Sequence, residues 1–187
     1  MKRINIENVF HDVAMTYYQS LKEIHNYLEN AKGKKIIVGE NQDERFLQEV
    51  ETEKQNQKIN DFIKNTEIKV NQIINEYSEK EKLYFSPKGE NLTSDIELLK
   101  LNLDEKQVKE LQVRYSDNMT MLKAINDYAK EKSLNVFSVQ SAESRIEILK
   151  TFNKLINPRY RENIYSDKYP FLDTCELYKN SQLKNIF

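Results

Sequence analysis

Few side chains in this sequence are of a type and spacing that could do chemistry. His11 and His25 lie fourteen residues apart. On one helix they would share a face but stand about 21 Å apart along the axis. Neither has a second histidine at i+4, the spacing a zinc-binding helix uses. Each has a carboxylate one turn away, Glu7 for His11 and Glu29 for His25, which reads as a solvated i, i+4 pair. No Glu-x-x-His pattern suggests a di-metal bundle. Cys175 is the single cysteine. It can form no internal disulfide, which fits a reducing compartment, and Leu172, Thr174 and Leu177 around it suggest packing. Lys32-Gly33-Lys34-Lys35 lacks the second glycine, the spacing and the preceding strand of a phosphate loop, and reads as a helix stop. No acid, base, nucleophile or metal set converges, so the expectation is a non-enzymatic protein with no cofactor and no metal.

The elements that would position any site are helices. Three Gly and three Pro in 187 residues, with 32% charged residues, point to long helices and few turns. Residues 42–84 contain neither Gly nor Pro. Ile59, Ile63, Thr66, Val70, Ile73 and Tyr77 step along them by 4, 3, 4, 3 and 4, the heptad spacing of an apolar stripe on one helix. Residues 51–58 are all polar and read as exposed helix or a hinge. An earlier helix is expected over 6–31, capped by Asn5 with Glu7 facing the helix dipole. Its stripe is Ala14, Tyr17, Leu21, Ile24, Leu28 and Ala31, and Gly33 is its stop. Between the two helices, Ile36-Ile37-Val38 reads as a short extended connector, or an edge that pairs with another subunit. Two striped helices joined this way suggest an antiparallel hairpin or coiled-coil arm over 1–84.

Pro87 and Gly89 mark the clearest break, with a small C-terminal helical bundle expected over 85–187. Thr93 or Ser94 caps a short helical turn through Ile96, Leu98 and Leu99. Asp104 with Gln107 has capping-box spacing. Val108, Leu111 and Tyr115 share a helix face, Ser116-Asp117-Asn118 is a turn, and a second helix runs through Leu122, Ile125, Tyr128 and Ala129. Residues 104–133 therefore outline a helix-turn-helix. Ser141 caps a further helix, with its end expected at Asn157-Pro158. A tyrosine-rich tail follows, with Tyr160, Tyr165, Tyr169 and Tyr178, and a last short helix near Pro170. The fold class is all-α.

Charge is uneven although the formal net is −1. Residues 40–83 hold 7 Lys/Arg and 11 Asp/Glu, whereas residues 145–187 hold 8 and 5. Residues 105–133 hold 6 and 5, a balance too even for strong phosphate binding. A nucleic-acid reading would rest on Lys123 in the first turn of the second helix, and on Arg159, Arg161 and Lys168 among the tail tyrosines. Packing is the favoured use of both segments. No apolar run spans a membrane, and no signal-peptide core follows Lys2 and Arg3.

The run Leu98-Leu99, Leu103-Asp104-Glu105-Lys106-Gln107-Val108-Lys109-Glu110-Leu111, Arg114-Tyr115-Ser116-Asp117-Asn118-Met119-Thr120-Met121-Leu122 and Asp127-Tyr128-Ala129 resembles small helical proteins of phages and prophages of Gram-positive bacteria, from virion-structural or assembly genes. The likeness carries no site residues. It implies an assembly, scaffolding or minor structural protein in the bacterial host cytoplasm or the phage particle. Such a protein would act as a homo-oligomer or with other phage structural proteins, through a self-association seam of Ala14, Tyr17, Leu21, Ile24, Leu28, Ile59, Ile63, Val70, Ile73 and Tyr77. The alternatives are a DNA-binding or packaging accessory using 104–133 and the basic tail, and a small inhibitor or adaptor docking on a host protein.

Overall fold

The computed structural model describes residues 3–32 and 42–165. All regular structure among them is helical: α1 (Ile6–Lys32), α2 (Gln42–Phe85), α3 (Glu105–Arg114), α4 (Met119–Glu131) and α5 (Ala142–Asn163), with 3-10 turns at Gly89–Asn91 and Ser94–Lys100. The expectations for residues 33–41 and 166–187 lie outside the described residues. They include the connector 34–39, the stop at Gly33, the last helix, Tyr169, Tyr178, Lys168 and Cys175. The chain forms two compact units, Met1–Asn5 with Glu76–Glu147, and Ile6–Asn75 with Ile148–Phe187. The division falls inside α2 and inside α5, not at 84/85. Pro87 and Gly89 end a helix, but local punctuation does not say which later segment returns to pack on it.

In the second unit, α1, the first part of α2 and most of α5 pack as three helices. Ser20 on α1 meets Thr66 on α2, and Tyr27 meets Phe62. Positions descend on one helix as they rise on the other, so the pair is antiparallel, as the sequence suggests. Phe10 meets Phe152, Tyr17 meets Asn153 and Tyr160, and His25 reaches Asn163. These positions rise together, so α5 runs parallel to α1. The core stripe of α1 is wider than a two-helix seam. Ile6, Val9, Phe10, Val13, Ala14, Tyr17, Leu21 and Ile24 are all buried, an arc that serves two neighbours. α5 answers with Leu149, Phe152, Ile156 and Tyr160, and Ile164 just past its end is buried as well.

On α2 the buried stripe is Ile59, Thr66, Val70 and Ile74. Ile63 and Ile73 are only half-buried. A helix of 3.6 residues per turn drifts against a strict heptad, and over two heptads the inward position moves from Ile73 to Ile74. Residues 51–58 are continuous helix within α2, so they are exposed helix and form no hinge. α5 also continues past its expected end, with Pro158 inside it. Proline forfeits the bond to the Lys154 carbonyl, at about 3 kcal/mol. The buried Tyr160 and Ile164 beyond it return roughly 1.5–3 kcal/mol each.

The first unit holds the end of α2, both 3-10 turns, α3, α4 and the start of α5. Asp104 and Gln107 form the capping box of α3, and the Asn118 side chain accepts from Met121 N to cap α4. Ser141 Oγ accepts from Ser144 N at 3.2 Å at the start of α5. Val108, Leu111, Met121, Ile125, Tyr128 and Ala129 make the core of this unit, with Ile96, Leu98, Leu99 and Leu103 against it. The Tyr128 hydroxyl accepts from Leu103 N at 2.9 Å and donates to Leu101 O at 3.1 Å, fixing the segment before α3.

The shift of the inward position is directly testable. Ile74→Asp places an unpaired carboxylate in the core and should cost roughly 3–5 kcal/mol in urea unfolding. Ile73→Asp should cost no more than about 1–2 kcal/mol. Equal losses would restore the strict heptad.

Candidate functional site

Polar groups converge in two places, one in each unit. In the three-helix unit they form a layer through the core. The Tyr17 hydroxyl donates to Asn153 Oδ1 at 2.7 Å and accepts from Asn157 Nδ2 at 3.2 Å. Asn157 also donates to Glu67 Oε1 at 3.1 Å, and Arg161 pairs with the same oxygen. On the other side of Tyr17, the Tyr160 hydroxyl lies 2.8 Å from Ser20 Oγ, which lies 2.6 Å from Thr66 Oγ1. The single Thr66 proton serves either Ser20 or the Phe62 carbonyl at 2.7 Å. Burial pushes the Tyr17 phenol up to about 12, against the opposing Asn157 bond, and raises Tyr160 as well. Burial also pushes the Glu67 carboxyl upward, but the bonds from Arg161 and Asn157 prevail and hold it below its usual value. Tyr17 and Tyr160 are fully buried, so this layer specifies helix register.

The other cluster sits at the C-terminal end of α2. Glu81 continues the stripe four residues beyond Tyr77 and is fully buried. Its Oε1 lies 3.0 Å from Arg145 Nε and 3.4 Å from Arg3 Nε. Arg145 Nε also lies 3.0 Å from the Tyr77 hydroxyl, and its Nη2 donates to Ile4 O at 3.0 Å. Arg3 Nη2 donates to Gln140 O at 3.1 Å, and the guanidinium lies 5.0 Å from the Phe85 ring centroid. Glu81 Oε2 has no hydrogen-bond partner among the described residues. One carboxylate thus ties the N-terminal segment, the end of α2 and the start of α5 together.

The sequence singled out none of Arg3, Glu81 and Arg145. The available signal was a charged residue standing on an apolar stripe, as Thr66 was a polar one.

The residues expected to form a self-association seam are covered from within the chain. Ala14, Tyr17, Leu21, Ile24, Ile59 and Val70 are buried in the three-helix unit, and Tyr77 is buried in the other. Leu28, Ile63 and Ile73 are half-buried. Within the chain α1 is met by both α2 and α5, and heptad spacing identifies a stripe and not its partner. His25 reaches beyond its own helix. Its Nε2 lies 3.1 and 3.0 Å from the carbonyls of Asn163 and Ile164, at the end of α5.

Of the residues of the nucleic-acid reading, Lys168 lies outside the described residues. Lys123 is exposed in the first unit, Arg159 and Arg161 are exposed in the second, and Arg161 is engaged with Glu67. In the first turn of α4, Thr120 and Met121 face the core, and Thr120 accepts from Lys88 N at 2.9 Å. That turn presents Lys123 but not the flanking side chains a base-reading helix would use. A polar cavity of about 300 Å³ lies between Tyr84, Lys88, Asn91, Asp117 and Asn118. Its polar groups largely satisfy one another, Tyr84 Oη donating to Asp117 O and Asn118 Nδ2 to Asn91 O. Among the described residues no group of three His, Cys, Asp or Glu could hold a metal ion, and no helix is long and apolar enough to cross a membrane.

What remains outward is apolar surface on helices. Phe46 and Leu47 are 65% and 53% exposed on α2, with Val50 half-buried one turn on. Comparison with protein-family models, curated proteins and solved structures found no match.

The two clusters respond differently to perturbation. Glu81→Ala leaves two cations without their carboxylate and should cost about 3–5 kcal/mol in urea unfolding; a loss below about 1 kcal/mol would show that Glu81 is no keystone. The Tyr17 phenol is held neutral, so its stabilisation is complete below pH 10 and is lost as pH rises through about 12. Absorbance titration should show a phenol with that midpoint, absent from Tyr17→Phe.

Proposed function

We propose that this chain is a non-enzymatic assembly, scaffolding or minor structural protein of a phage or prophage, working by contact with copies of itself or with other structural proteins. The observation that carries the reading is the bare leading end of α2. From Arg45 to Lys58 no residue is buried, yet the helix presents Phe46 and Leu47 to solvent. An isolated helical stretch this polar gains little from propensity alone, and two large apolar side chains on it favour contact with another surface. Phe46 and Leu47 are among the most exposed large apolar side chains of the described residues, so this face has contact energy to offer a partner. Association through it draws on Phe46 and Leu47, at roughly 1.5–3 kcal/mol for each side chain fully covered. The likeness of residues 98–129 to phage assembly proteins supports the biological setting.

The test is a Phe46→Asp, Leu47→Asp double variant. Its far-ultraviolet dichroism and melting temperature should match the parent, because neither side chain contributes to a core. Its solution mass across a range of concentrations, and its recovery with co-expressed virion proteins, should fall to those of an isolated chain. Unchanged mass and unchanged recovery would count against the reading.

A further inference from the structure

Between α4 and α5 the chain reads Leu134-Asn135-Val136-Phe137-Ser138-Val139-Gln140 and contains no helix, turn or bend. Its backbone is held on one side by side-chain amides. Asn126 Nδ2 donates to Phe137 O at 3.0 Å, and Asn126 Oδ1 accepts from Phe137 N at 3.1 Å. One amide thus gives Phe137 the pair of bonds that a neighbouring strand would give. Gln112 Nε2 donates to both Asn126 Oδ1 and Asn135 O, each at 3.0 Å, and locks that amide in place. In an extended chain the N–H and C=O of successive residues point to opposite sides. The Asn135 carbonyl and both backbone groups of Phe137 are used on α3 and α4, so the backbone groups of Val136 and Ser138 point away. Both residues are exposed, Val136 at 42%, and neither bonds to a described residue through its backbone.

We propose that this edge pairs antiparallel with the same edge of a second copy. The inference rests on the self-association reading above but uses a different surface. The edge is self-complementary: a two-fold axis at Phe137 sets Val136 of one copy against Ser138 of the other, and each such pair exchanges both its N–H···O bonds. Residues 134–140 contain no charge, Pro or Gly, the devices that ordinarily blunt an exposed edge. The flanks choose the direction. Lys130-Glu131-Lys132 before the segment is net positive, and Ser141-Ala142-Glu143 after it is net negative. Antiparallel pairing lays unlike flanks together, and parallel pairing lays like on like. Beside the edge, Phe85, Met119, Leu122, Phe137 and Val139 wall an open groove of about 370 Å³, whose apolar surface a paired copy would shield. An extended peptide from an unrelated protein is the competing occupant.

The experiment is residue-resolved hydrogen exchange on the full chain over a wide range of protein concentration, with solution mass measured in parallel. The amides of Val136 and Ser138 should slow by about tenfold or more as concentration rises, while that of Phe137, already bonded to Asn126, stays constant. Ser138→Pro removes one outward N–H and favours an extended Phe137, the conformation that pairing requires. It should shift the mass toward one chain without changing the melting temperature. Val136→Lys, which keeps every backbone group, should weaken pairing by charge repulsion across the axis. Self-association with concentration-independent exchange at Val136 and Ser138 would overturn the edge and leave the broader reading standing. A chain that stays single at every concentration would overturn the edge and the self-association on which it rests, and would leave the peptide as the edge's occupant.

Discussion

Tyr17 and Tyr160 lie ring against ring, 4.8 Å between centroids, in the middle of the three-helix unit. Burying two phenols is tolerable only when each hydroxyl has a partner. Those partners come from all three helices: Asn153 and Asn157 on α5, Ser20 on α1, and Thr66 on α2 through Ser20. The arrangement therefore permits one register. A slip of α5 by one residue would leave both hydroxyls and the Asn157 amide without bonds. Apolar residues above and below supply the bulk of the driving force, but they would accept several registers. The polar layer is what makes the packing unique.

Glu81 plays the corresponding part in the other unit, with charge in place of hydroxyls. A buried carboxylate is not by itself a gain in stability, because desolvation opposes the attraction. What it supplies is a single geometry, since Arg3 and Arg145 must both reach it while donating to backbone carbonyls of Gln140 and Ile4. The same logic recurs at smaller scale between α4 and α5, where Gln112 and Asn126 hold an extended segment with side-chain amides. In each case a polar contact specifies where apolar packing alone would leave choices open. Such contacts position structure.

The helices themselves follow from local sequence. Asp104 and Gln107 three residues apart cap α3, and Asn118 caps α4, because capping needs only a short polar side chain and a free N–H within one turn. The antiparallel pairing of α1 with α2 was also legible, since their stripes face one another across a short connection. The site-level expectations fared differently. His25 bonds the end of α5, and Ile74 replaces Ile73 on the core side. Pro158 sits within a helix that its neighbours Tyr160 and Ile164 hold in place. Each of these depends on a partner distant in sequence, which spacing along one helix does not encode.

The sequence by itself determined that the chain is helical, where most helices begin, and which stripes must leave water. These are decisions made within one or two turns, where propensity, capping and periodicity act. Tertiary structure alone decided what covers each stripe. α5 returns to complete the core of α1 and α2, and burial makes Glu81 a clasp where the sequence shows one acid among many. It also left Phe46 and Leu47 uncovered, and left the Val136–Ser138 edge open, because nothing in this unit reaches that edge. Burial depends on which surfaces meet, and a linear pattern states only that a surface seeks a partner.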